Sequence, residues 1–206
     1  MSVEWFRNTT WNDSIEQMFN EKLHRARRKE QYLRIQACIL AHSHPEVALK
    51  LLDRYFSLKD DFDHAQAHVD RATALLALGR VDEAIGSYES ALAREAEFPN
   101  LKTEAYIDLA YLIATNGIRA KYEDAMQLLE KHKARLMFPV DHFRWHAAWA
   151  MIAADGHDTH RAKAHARHAL DAAAREHSGF RYQNAVGLVT NRYDDVVKRL
   201  EEYYAA

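Results

Sequence analysis

Apolar and small residues recur along this chain at helical spacing, three and four apart, with polar residues between them. In the stretch 67–93, AHVDRATALLALGRVDEAIGSYESALA, Ala72 is followed by Leu75 three positions on and Gly79 seven on. Ala84, Tyr88 and Ala91 stand twelve, sixteen and nineteen on. A small residue, an apolar partner one turn later, a glycine break and a second small–large–small run predict two antiparallel helices. Their small residues let the backbones approach, and the tyrosine fills the space beside them.

The same outline recurs. The alanine that opens each second helix stands at Ala48, Ala84, Ala125 and Ala162, with valine substituted at Val196; the intervals are 36, 41, 37 and 34 residues. Each preceding helix supplies a small or aromatic packing residue: Ala37, Ala72, Ala110, Trp149 and Ala185. Leu40, Leu75, Ile113, Ile152 and Leu188 follow three positions later. Ser43-His44-Pro45 predicts a helix starting at Pro45, Gly79 a helix end, and Asn100 and Asp141 N-caps. The third copy carries extra turn residues, TNGIRAKYED, and has His132 where a small residue would close its second helix. Upstream, Ile15, Met18, Phe19, Leu23 and Ala26 form one stripe, predicting an amphipathic helix over 12–29 that caps the first hairpin.

This spacing resembles the tetratricopeptide repeat, over residues 30–205 and most strongly over 65–98. The resemblance implies an all-α fold, a right-handed α-solenoid of about five antiparallel helix pairs with an N-terminal capping helix. Residues 1–29 are then the N-terminal segment and capping helix, and 30–206 the repeat array, in a single domain overall.

Composition narrows the class. Six glycines and three prolines in 206 residues, 48% of them hydrophobic, favour helices around a continuous core over strands or disorder. A net charge of −2 supplies no global attraction to nucleic acid or an anionic membrane, and neither is expected as a partner. One cysteine, Cys38, forms no internal disulfide, and no stretch reads as a signal peptide or membrane span. The expectation is a cytoplasmic protein.

Thirteen histidines invite a test for metal. His64/His68 and His142/His146 are pairs four apart that share a helix face, and His142, His146, His157 and His160 form the alternative metal set, the basis of a metal-dependent enzyme reading. Asp141, Asp155, Asp158, His165 and His168 are further donors within reach in sequence. The simpler reading is solvated or capping histidines, with Asp158 as a helix cap. No metalloprotease, phosphate-loop or nucleophile-elbow motif occurs, and the paired carboxylates Asp60-Asp61, Asp194-Asp195 and Glu201-Glu202 read as solvated. The expectation is no enzyme, no cofactor and no metal. The run His24-Arg25-Ala26-Arg27-Arg28-Lys29 ends a predicted helix, where cations complement the dipole; alternatively it meets an acidic protein or nucleic acid, although no aromatic interleaving for stacking bases follows it.

In proteins of the resembled family the first helices line a concave face. Carried onto this chain, that face comprises Gln31, Arg34 and Cys38; Gln66, Val69 and Thr73; Glu104, Ile107 and Tyr111; then His146 and Tyr182, with Arg34 and Tyr111 as anchors. Ala150 and Val186 flank it. The repeated Lys and Asn clamp that holds a C-terminal carboxylate in the family is absent, so a chaperone-tail receptor is not expected. The function expected is a non-catalytic protein–protein interaction module, an adaptor, chaperone or inhibitor that binds a peptide or protein partner; an immunity protein neutralising a toxin is one alternative. Trp5, Phe6 and Trp11 fold back onto the array or, in the other reading, join two copies as a homodimer rather than leaving a monomer.

Overall fold

The computed structural model describes residues 4–58 and 63–205; Asp60 and Asp61 lie outside them. Among the described residues the chain is all-helical, with ten α-helices, three single 3-10 turns and no strand. It divides into two compact units, residues 1–105 and 106–206.

Unit 1 holds α1 (Asp13–Arg25), α2 (Lys29–Leu40), α3 (Pro45–Phe56), α4 (His64–Ala77) and α5 (Val81–Glu97). The Asn12 carboxamide accepts from the Ile15 amide at 3.0 Å and starts α1. The helix ends earlier than the stripe predicts, because Ala26 turns to extended backbone (φ −76°, ψ 144°) and lets α2 begin at Lys29. Pro45 occupies the first turn of α3, and Gly79, at φ +72°, ends α4 as predicted. Helices α2 and α3 pack as one hairpin, α4 and α5 as the next, and α3 lies on α4. The small residues Ala37, Ala48, Ala72, Ala84 and Ala91 are fully buried at these contacts, with Leu40, Leu75 and Tyr88 beside them.

The N-terminal aromatics belong to this core. Trp5 packs on Phe19 and Tyr32, Phe6 on Tyr32, and Trp11 on Phe19, with ring centroids 4.7–5.5 Å apart. Buried Gln36 locks the segment down: its carboxamide oxygen accepts from the Asn8 backbone and side-chain N–H groups, and its own Nε2 donates to the Asn8 carbonyl at 2.7 Å.

Unit 2 contains α6 (Ala105–Thr115, whose first residue closes unit 1), α7 (Tyr122–His132), α8 (Pro139–Asp155), α9 (Thr159–Ala173) and α10 (Asp194–Ala205). The extra residues of the third copy form a turn through Gly117 and a 3-10 turn, Arg119–Lys121, and His132 ends α7 against the Tyr106 ring. Ala110, Ala125 and Ala162 are buried as the repeat requires. In the fourth copy the register differs: Ala147 and Ala148 are fully buried, while Trp149 is half-buried. Neither predicted cap holds as such. Asn100 sits in an exposed turn, and the Thr103 hydroxyl receives the Ala105 amide. Asp141 lies inside α8, where its carboxylate accepts the Met137 and Phe138 amides.

The fifth pair lacks its first helix. Residues 175–190 form turns instead, Ala185 is exposed and Tyr182 is 86% exposed. Ser178 organises this segment by bonding the Asn184 and Gln183 carbonyls, and the Gly187 carbonyl receives the Val140 amide at 2.8 Å. Helix α10 packs on α9 without a helical partner of its own repeat. Gly187 has φ +70°, and a Cβ there would stand 2.4 Å from that of Phe138. Gly179 has φ +88° in open space. Gly187→Ala is therefore expected to cost about 2–3 kcal/mol against about 1 for Gly179→Ala, read from urea unfolding; equal costs would remove the Phe138 contact as the cause.

Candidate functional site

In unit 1 the first helices of two successive hairpins, α2 and α4, present one polar face. Arg34 on α2 reaches across it, donating from Nε to Asp63 at 2.9 Å and from Nη1 to Asp70 at 3.3 Å. Asp70 is almost completely buried and also receives Gln66 Nε2 at 3.1 Å and the Cys38 thiol. Burial pushes the Asp70 carboxyl up against the pull of these donors. Partial burial and the Asp70 charge hold the Cys38 thiol at about 11, so it is protonated at neutral pH and is a poor nucleophile. Of the residues placed on this face from sequence, Gln31, Arg34, Cys38 and Gln66 come together on it. Val69 is buried core, and the Thr73 hydroxyl donates back to the Val69 carbonyl.

Arg34 is thus not a free anchor. Its guanidinium is bound within the unit, and Arg34→Glu would set a third carboxylate against Asp63 and Asp70. At the α2 end of the face lies a half-open hollow of about 470 Å³. Arg28, Gln31, Arg34 and Asp63 form its polar wall, Ile35 and Tyr55 supply apolar surface, and Glu30 stands beside them. Arg28, Glu30 and Tyr55 joined the site only through the fold. Gln31 is exposed.

Unit 2 disperses its share of the sequence-placed residues. Ile107 is fully buried, so it cannot face a groove. Tyr111 lies edge-on against Tyr193 at 6.0 Å, and burial raises its hydroxyl pKa. Glu104, at the end of unit 1, is exposed, and Tyr182 projects from the turn segment. Asp108 of α6 pairs with Arg144 of α8.

His146 turns toward α9, where its Nδ1 lies 3.0 Å from Nδ1 of His165 and its ring 4.8 Å from that of His168. The Trp149 ring stacks on His165 (5.4 Å, 13° between planes) and Trp145 lies 5.6 Å away. Burial, and then the repulsion a proton would meet from neighbouring groups, hold His146 down at about 3 and His165 at about 4. His142, His146, His157 and His160 do not assemble. His157 occupies a left-handed turn position (φ 61°) and His160 the first turn of α9, both exposed. Among the described residues no three His, Cys, Asp or Glu side chains are placed to hold one metal ion. Asp158 caps α9 through the Arg161 amide at 3.0 Å. His64 and His68 pack on Phe56, with His68 stacked at 4.6 Å.

No helix among the described residues is long and apolar enough to cross a membrane. Comparison with protein-family models, curated proteins and solved structures finds no match in any of the three.

Proposed function

We propose that this chain is a non-catalytic protein-interaction module of the tetratricopeptide kind, built as a right-handed array of helical hairpins, which receives a segment of a partner protein on the α2–α4 face. The observation that carries this reading is the hollow beside Arg34. Its volume suits a bulky side chain, and its lining sets apolar Ile35 and Tyr55 beside the charges of Arg28, Arg34 and Asp63 and the exposed Gln31 carboxamide, as peptide-binding clefts do. The hairpin pairing α2–α3 and α4–α5, with alanines buried at each contact, supports the repeat reading. The polar chemistry of the face is internally committed, since Asp70 already receives three donors and the Cys38 thiol keeps its proton. That suits a binding surface better than a proton-transfer site.

Gln31→Trp tests the reading, because an indole at this exposed position fills the hollow and leaves the Arg34 network intact. The expected result is a protein retained saturably from native lysate by the unaltered chain and lost by the variant, with equal helicity by circular dichroism. Retention of the same protein by both would remove the hollow from the function.

A further inference from the structure

We infer that the segment received at the hollow is acidic, drawn in by the cations of the α1–α2 turn; this rests on the interaction-module reading. Arg25, Arg27, Arg28 and Lys29 place four fixed cations in five positions of a chain whose net charge is −2. Several arginines elsewhere are held in intramolecular pairs, as with Arg7–Glu4, Arg71–Asp53, Arg80–Glu83, Arg94–Glu97 and Arg119–Asp155. Among the described residues, none of the four turn cations joins an ion pair, and the three arginines are exposed.

Local stability explains only part of the run. Lys22, His24 and Arg25 lie in the last turn of α1, where positive charge complements the helix dipole. Arg27 and Arg28 lie beyond that end. Arg28 is the N-cap of α2 with no capping hydrogen bond from its side chain, and Lys29 is the first residue of that helix. Cations at a helix N-terminus oppose its dipole, so Arg28 and Lys29 carry charge against the local interest of α2.

Their placement supplies a reason. Arg28 forms part of the wall of the hollow, and His24, Lys29 and Arg54 border a second, shallower one of about 300 Å³. A segment with carboxylates on Arg27 and Arg28 sets a neighbouring apolar side chain over Ile35 and Tyr55, joining steering to anchoring. A nucleic acid fits less well, because no aromatic residues interleave these cations to stack bases.

The test is fluorescence anisotropy with four labelled probes: a short peptide of Glu and Asp around one Leu, its Gln/Asn counterpart, its Lys counterpart and a single-stranded DNA oligonucleotide. Arg27→Glu/Arg28→Glu is compared with Arg167→Glu/Arg175→Glu, an equal charge change in unit 2. The acidic peptide is expected to bind at least about tenfold more tightly than the others and to weaken with salt. The first double variant is expected to lose about tenfold in affinity and the second less than about twofold. Equal binding of acidic and neutral peptides, lost in Gln31→Trp, would overturn the acidic preference and leave the module reading standing. Preferential binding of the oligonucleotide, or of no probe at all, would overturn this inference; the module reading is judged separately by partner retention.

Discussion

Replacing Arg144 by methionine is expected to destabilise unit 2 by about 3–5 kcal/mol, the largest effect of any single substitution considered for this chain. The Arg144 side chain is 11% exposed, donates to the Asp108 carboxylate and lies 3.7 Å from that of Asp141. Methionine keeps much of the stem packing and removes the charge, leaving two carboxylates repelling each other across a poorly solvated space. Asp141 keeps the Met137 and Phe138 amides as donors, so the burden falls on Asp108, whose carboxyl burial already pushes up. Two consequences distinguish this cause from simple loss of packing. The cost should shrink in mild acid, where Asp108 takes a proton, and Asp108→Asn in the Arg144→Met background should recover part of the loss. Urea titration followed by circular dichroism measures all three; a single-variant cost below about 1 kcal/mol would remove the pair as a stabilising element.

The second large effect is acid sensitivity centred on His146 and His165. Both are held neutral in the folded chain, at about 3 and about 4, first by burial and then by the repulsion a proton there would meet from neighbouring groups: His165, His168 and Lys133 around His146, and His168, Arg161 and Lys133 around His165. His142 also faces His146 and is itself shifted down by burial. Unfolded, these imidazoles take up protons near their ordinary value of 6.5. Because the unfolded chain binds more protons throughout that window, stability rises with pH there and falls as the solution is acidified below about 6.5. The two rings lie 3.0 Å apart and are partly exposed, so a combined loss of about 2–3 kcal/mol between pH 7 and 5 is expected. His146→Gln/His165→Gln should remove the part of the slope that these two rings supply, leaving a smaller one from His68, which burial holds at about 4, and from His142, which burial also shifts down. An unchanged slope in the double variant would place the acid sensitivity elsewhere. Trp145 and Trp149, packed against His165, give the unfolding a local fluorescence signal.

Helical hairpins were legible wherever the spacing had a local cause. Ala37/Leu40 and Ala72/Leu75 are buried one turn apart on the same helix, and Gly79 and Pro45 act through their own backbone preferences. Reading failed where a small residue marked no helix. Ala185 stands at the expected interval, yet the turns organised by Ser178 and Gly187 prevail, and only packing against Phe138 requires that geometry. Trp149 was one position out of register because Ala147 and Ala148 offered the small residue that close approach needs.

The candidate site divides along the same line. Sequence by itself determined that the chain is helical and that Gln31, Arg34 and Cys38 share one face of α2, because helical periodicity fixes which residues on one helix point together; that Gln66 of α4 joins them was implied only by the family resemblance. The sequence also placed the basic run at a helix junction. Tertiary structure alone decided that Arg34 is bound to Asp63 and Asp70, that Tyr111 packs against Tyr193 and Ile107 lies in the core, and that His146 meets His165 rather than a groove. Contacts between separate helices depend on distance and burial, which a one-dimensional repeat does not encode; the same alanine spacing accommodates an anchor, a core residue or an ion pair, and packing selects among them.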